Sequence, residues 1–342
     1  MTRHVVLRAS VVVFALIALN GCKSDDAGDA KKNDPVLVID AGAEPREQLR
    51  YNIAHGTTTT SKMEYALSSL TTTSETSTLS VTPGVRLHIV SGPTLEGKRD
   101  SIRFDVRIVK AEAIVPEGVD PLIKLELDKS VSILNNVGGW VEVDDRGIVQ
   151  RSDLNSAAQN PEVPARLLMM IINARTSLAR VVLPAEAVGV GARWEAKKEL
   201  VAYGFKINQS DTYTMLEKAG DTVKLNVQIQ QNAPAQAITF EDEGVELSLE
   251  GLNMNATGEV VLDLRALEAN AMASGEAADL MNVKTVDGSE TIEIDSTFDV
   301  KMTVTYEIAE TIAEGKEQLE QAKETRRAAE KKTKAVEEQL QE

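Results

Sequence analysis

Nine residues between Ile292 and Ile308 alternate with eight others of opposite character. Ile292, Ile294, Ser296, Phe298, Val300, Met302, Val304, Tyr306 and Ile308 take the even positions. Glu293, Asp295, Thr297, Asp299, Lys301, Thr303, Thr305 and Glu307 take the odd ones. A period of two places one set on each face of a strand, so this run predicts a half-buried antiparallel strand. At ~3.3 Å per residue it spans roughly 50 Å, about three ordinary strands. The Thr- and Ser-rich stretch Thr57–Val81 is the expected counterpart near the start of the chain.

The same period recurs upstream. Ile102, Phe104, Val106 and Ile108 alternate with charged residues, and Val223, Leu225, Val227 and Ile229 alternate with Lys224, Asn226, Gln228 and Gln230. Val245, Leu247 and Leu249, then Val260, Leu262 and Leu264, repeat it. Turn signals fall between runs at Pro83-Gly84, Asp144-Asp145-Arg146-Gly147, Ala219-Gly220-Asp221 and Asp287-Gly288. The predicted fold class is mainly β: a large antiparallel, strongly coiled sheet, half-barrel or two-layer. With aromatic residues at only 4 %, valine, leucine and isoleucine have to fill its core.

Two helices are expected beside the sheet. The first runs over about residues 162–182, after Pro161 and Pro164, with Leu167, Met170, Ile171, Ala174 and Leu178 at helical spacing. Leu168, Met169 and Ile172 widen its apolar surface, so it is expected to pack across the sheet or plug its opening. The second occupies residues 309–342, where Arg326–Glu330, Glu330–Lys334 and Lys334–Glu338 pair at i,i+4. Each pair is worth roughly 0.2–0.5 kcal/mol on a helix. The apolar line through Leu319, Ala322, Ala329, Val336 and Leu340 is too thin for a strong coiled coil, which leaves a solvated helix or a surface for another envelope protein.

The chain begins with Arg3 and Arg8, a run of apolar residues from Val11 to Leu19, and then Asn20-Gly21-Cys22. That is the layout of a secretory signal peptide cut before its cysteine. Leu19-Asn20-Gly21-Cys22 resembles the lipobox of bacterial lipoproteins, which implies removal of residues 1–21 and acylation of Cys22. Multiple acyl chains give stable anchoring where one does not. By the same resemblance, Lys23 after the cysteine implies the outer membrane, with the protein facing the periplasm. Residues 22–45, polar and without periodicity up to Pro35, read as a flexible tether, and residues 46–308 as the β-rich domain. The tether, the glycine-then-Trp segments and the long alternating strands are similar to those of β-rich bacterial lipoproteins, a likeness that brings no activity with it.

Composition narrows the function. The formal charge is −16, and losing Arg3 and Arg8 with the signal peptide makes it more negative still. That argues against nucleic acid or an anionic membrane surface as partner. Cys22 is the only cysteine, so no disulfide is available within the chain. His55 and His88 are the only histidines after the signal peptide, and there is no HExxH, CxxC or GxSxG. No metal, cofactor or catalytic residue is assigned. The acidic turns at Asp144, Glu241 and Asp287 lack EF-hand spacing and suit hairpins as they stand. Gly189 and Gly191 are not followed by the Lys-Ser/Thr of a phosphate loop. Trp140 and Trp194 are read as core anchors rather than as a ligand mouth.

Two functions fit. One is a non-enzymatic envelope lipoprotein of structural or interaction type, reaching the bilayer through Cys22 and a partner through its C-terminal helix. The alternative is a periplasmic carrier or binder of apolar ligands such as acyl chains or lipoproteins. Its sheet would be the cradle, with Leu168, Met169, Met170 and Ile172 as ligand-binding side chains. It resembles in this the half-barrels of periplasmic lipoprotein carriers.

Overall fold

The computed structural model describes residues 34–54, 57–73, 77–94, 101–115, 121–135, 137–153, 180–202, 205–240, 245–285 and 291–309. Thirteen strands follow one another: β1 (Val36–Asp40), β2 (Thr58–Thr73), β3 (Ser77–Thr94), β4 (Ile102–Ile114), β5 (Gly138–Val143), β6 (Val149–Asp153), β7 (Arg193–Ala202), β8 (Phe205–Ala219), β9 (Thr222–Ala233), β10 (Gln236–Phe240), β11 (Val245–Asp263), β12 (Ala269–Thr285) and β13 (Thr291–Ala309). Helix α1 (Pro121–Ser132) lies between β4 and β5. All thirteen strands form one antiparallel sheet, ordered β1-β7-β8-β9-β11-β12-β13-β2-β3-β4-β5-β6, with β10 beside the start of β11.

The mainly β, antiparallel expectation holds, but strong coiling does not: the sheet is neither closed nor strongly curled. Length was the argument for coiling, and the partners of the long strands remove it. β2, β3, β11, β12 and β13 span 16–19 residues each and lie side by side, so a long strand pairs with an equally long neighbour without crossing between layers. The counterpart expected for the last strand is its neighbour in fact, with β2 pairing β13 from Thr58↔Ala309 to Thr73↔Ile294.

The faces follow the period of two. Met302 and Val304 are buried, while Asp295, Thr297 and Lys301 are exposed. The side chain of Val300 lies outside the described residues. Val304→Ala is expected to cost roughly 1–3 kcal/mol in urea unfolding, and Lys301→Ala to stay within about ±0.5 kcal/mol. Equal losses at the two sites would contradict this assignment of faces.

Several local expectations change. Pro83-Gly84 is not a turn but part of β3, where a register shift opposite Tyr65–Leu67 absorbs the extra residue as a bulge. The runs 245–249 and 260–264 are one strand through Asp263, with a bulge between Leu249 and Gly251. The chain is folded before residue 45. Val36–Asp40 pairs with β7, and Ala43 N–H donates to the Val190 carbonyl, so residues 36–43 belong to the body and not to a flexible tether. Of the helix expected over residues 162–182 only Arg180–Val182 is described, and it is irregular. The C-terminal segment 310–342 is outside the described residues.

One end of the buried face is covered by irregular chain. Tyr51 N–H donates to the Asp145 carbonyl, Asn52 N–H to Leu264 and Leu183 N–H to Arg146. These bonds tie the segments 41–54 and 180–188 across the β5–β6 and β11–β12 turns. Leu49, Val181, Leu183 and Val188 are fully buried there. The β5–β6 turn is a backbone device: Asp144 Oδ1 accepts from Arg146 and Ile148 N–H, and Gly147 has a φ of 80°, as Gly220 in the β8–β9 turn has one of 59°.

A buried polar layer as candidate functional site

The buried face of β7, β8 and β9 is apolar at both ends and polar in the middle. Near the covered end, Trp194 on β7 stacks on Tyr213 of β8 with centroids 5.5 Å apart, and its Nε1–H donates to the Val182 carbonyl at 2.9 Å. Burial pushes the Tyr51 and Tyr213 phenols above their usual value, and the Asp211 charge adds to the effect on Tyr213. At the other end Leu200, Phe205, Ile207 and Leu249 are buried.

Between these apolar layers lie Lys198, Gln209, Asp211 and Gln231. Alternation puts them on the inner face: Phe205, Ile207, Gln209, Asp211, Tyr213 and Met215 are all buried, and so are Val223 to Ala233 at every second position. Gln209, Asp211 and Gln231 are each at least 97 % buried. Burying such groups is costly unless they find partners. Asp211 supplies the order. Lys198 Nζ donates to its Oδ2 at 2.9 Å, and Gln209 Nε2 to its Oδ1 at 2.6 Å. With its amide group so committed, Gln209 presents Oε1 to Gln231 Nε2 at 2.8 Å. Every donor thus points toward the carboxylate. The Gln231 Oε1 at the far end of the relay is buried and has no hydrogen-bond partner.

A second polar feature sits just before β1. Arg146, in the β5–β6 turn, donates from both terminal nitrogens to Asp34, at 2.8 and 2.9 Å, and from Nε to the Leu183 carbonyl. Asp34 Oδ1 also accepts the Val36 N–H. Partial burial pushes the Asp34 carboxyl up, but the Arg146 hydrogen bonds, the Val36 N–H and the Arg146 charge outweigh it and hold the group below the ordinary 3.8. A depressed folded pKa stabilises above the unfolded value and loses that contribution as pH falls through the folded one. Asp34→Asn is therefore expected to cost about 1 kcal/mol at pH 7, with the difference from wild type vanishing once acid protonates the carboxyl in the folded state as well. A gap that persists in acid unfolding curves at pH 2 would overturn that assignment.

The residues singled out in the sequence are placed unequally. Cys22, His55, Leu168, Met169, Met170 and Ile172 lie outside the described residues. Trp194 is a core anchor, as expected. Trp140 is not: it is half-buried on the opposite face of β5, where the Arg103 guanidinium lies 4.3 Å over its ring. His88 is on the wet face as expected, 3.1 Å from Glu112. Burial lowers its pKa more than the Glu112 hydrogen bond and charge raise it. Lys198, Gln209, Asp211 and Gln231 were missed, although polar residues at positions 209, 211 and 231 interrupt otherwise apolar registers. Among the described residues no three His, Cys, Asp or Glu side chains are grouped to hold a metal ion.

No protein-family model and no curated protein matches the chain. Two solved structures of Ail, the attachment invasion locus protein of Yersinia pestis, align with 74 % of this chain and 100 % of theirs. The identities are 7 % and 6 % and the TM-scores 0.10 and 0.11, the second structure being a complex with the heparin analogue sucrose octasulfate. A likeness at that level carries no argument about fold or function.

Proposed function

We propose that this chain is a non-enzymatic lipoprotein of the cell envelope, held by acyl chains on Cys22 at the outer membrane and facing the periplasm. Its β body has a structural or interaction role there. The observation that supports this is how near Cys22 in sequence the described body begins. Asp34 is clasped by Arg146 only twelve residues after Cys22, so at ~3.4 Å per residue the body is held within roughly 40 Å of the anchor. A short leash on a large acidic body suits a protein that works beside a membrane rather than one that leaves it. The C-terminal segment 309–342 is the proposed contact for a second envelope protein.

A second reading, a carrier or binder of apolar ligands, is favoured by the polar layer inside an otherwise apolar face. Cys22→Ser tests the anchor that both readings share. The variant is expected to lose all label from radioactive palmitate and to move from the membrane to the soluble fraction. Unlabelled protein that still sediments with membranes would defeat the lipoprotein reading.

A further inference from the structure

We propose that the buried face carries a binding site for a neutral amphiphile with a hydrogen-bond donor in its head, an O–H or amide N–H on an apolar chain, received by Gln231. The inference rests on the carrier reading and names the ligand class for it.

Three observations carry it. The first is the lone acceptor. Lys198 and Asp211 satisfy one another, and the donor chain Gln231 to Gln209 to Asp211 leaves Gln231 Oε1 with nothing to accept. Only a donor can meet it. The ion pair is already neutral as a unit, so a charged head has no counter-ion in the layer, and an anion would face the Asp211 carboxylate.

The second observation is the neighbourhood of the acceptor. Register sets Gln231 opposite Met254, and Met254 opposite Ala277. Ala271, Ala273, Gly275 and Ala277 follow one another at every second position of β12, facing Ala256 and Gly258 on β11. Beyond Met254, one strand further from the acceptor, the short side chains of β12 stand where the other central strands carry Leu, Val and Met. A methionine at the boundary adapts its shape to an apolar chain.

The third is layering. The polar row has apolar rows on both sides, Trp194 and Tyr213 below, Leu200 and Ile207 above. A molecule whose donor reaches Gln231 therefore lies against hydrocarbon along the rest of its length.

The test uses the purified full-length protein carrying Cys22→Ser, which needs no detergent, and a matched pair of probes, 1-dodecanol and dodecyl methyl ether. They share the dodecyl chain and the oxygen, and the ether carries a methyl group in place of the O–H hydrogen. Native mass spectrometry and calorimetry are expected to show saturable one-to-one binding of dodecanol, about five- to tenfold tighter than the ether, the effect of one neutral hydrogen bond. Ala277→Leu is expected to weaken dodecanol by tenfold or more while leaving the melting temperature nearly unchanged, since the added side chain takes the ligand's place. If neither probe binds, the carrier reading fails and this proposal with it. If both bind equally, the carrier reading stands but the assignment of Gln231 is overturned. If Ala277→Leu lowers the melting temperature sharply, as overpacking does, the small-residue stripe is filled core and the site is refuted.

Discussion

Trp194→Ala is expected to produce the largest loss of stability of any single substitution in the described core, about 3–5 kcal/mol. Trp194 is fully buried at the start of β7. Truncating it removes the stack on Tyr213 and strands the Val182 carbonyl, which accepts the indole N–H. It also removes one of the contacts between the sheet and the irregular segment over its covered end. Trp194→Phe keeps one aromatic ring but loses the hydrogen bond and part of the indole volume, so a cost of roughly 1–2 kcal/mol is expected. Urea unfolding followed by circular dichroism separates the two, with the denaturant slope as the control for a changed unfolded state. A cost under 1 kcal/mol for the alanine variant would mean that Trp194 is not an anchor of this core.

Lys198→Met is the second large effect, on the order of 3 kcal/mol. Asp211 is 98 % buried, and its cation reaches it from a partly exposed position. Removing Lys198 leaves a carboxylate inside the fold with one amide donor. The reverse change is milder, because in Asp211→Leu the freed ammonium can extend to water on its flexible stem. The double variant Lys198→Met/Asp211→Leu is expected to return to within about 1 kcal/mol of wild type, since an apolar pair removes both charges together. The measurement is a double-mutant cycle in denaturant. Additive losses would show that the two side chains do not act as a pair.

How much of this was legible in the chain depends on the kind of feature. Strands with an unbroken period of two, such as 223–229 and 292–308, could be read directly because face alternation is a local property. Bulges defeated the same reading. At Leu249–Gly251 the buried set switches from odd positions (Leu247, Leu249) to even ones (Leu252, Met254), so one strand looked like two. Helix α1 was missed because its apolar residues are divided: Leu125 is buried while Leu122 and Ile123 are exposed, leaving no stripe. Asp120-Pro121 at its start and the Lys124–Asp128 pair were the available signals. Strong coiling was inferred from strand length, but length alone does not say how long the neighbours are. The polar layer depends on contacts among residues 198, 209, 211 and 231 on three strands. Local pattern could show only that their positions break the alternation, not that Asp211 draws them into one network.

The Asp34 clasp also bears on mechanical load. Tension entering the chain from its N-terminal side meets Asp34 before it reaches Val36. An edge strand pulled from its end unzips one hydrogen bond at a time, the weakest way to load a sheet. Here the pull is shared, because Arg146 belongs to the turn between β5 and β6 and is itself fixed to Leu183. Force divides between the first strand in the order and the far edge, and it draws on the two parallel bonds of a carboxylate–guanidinium pair. A pull on the N-terminal end of the described residues is thereby spread over two places in the sheet instead of one.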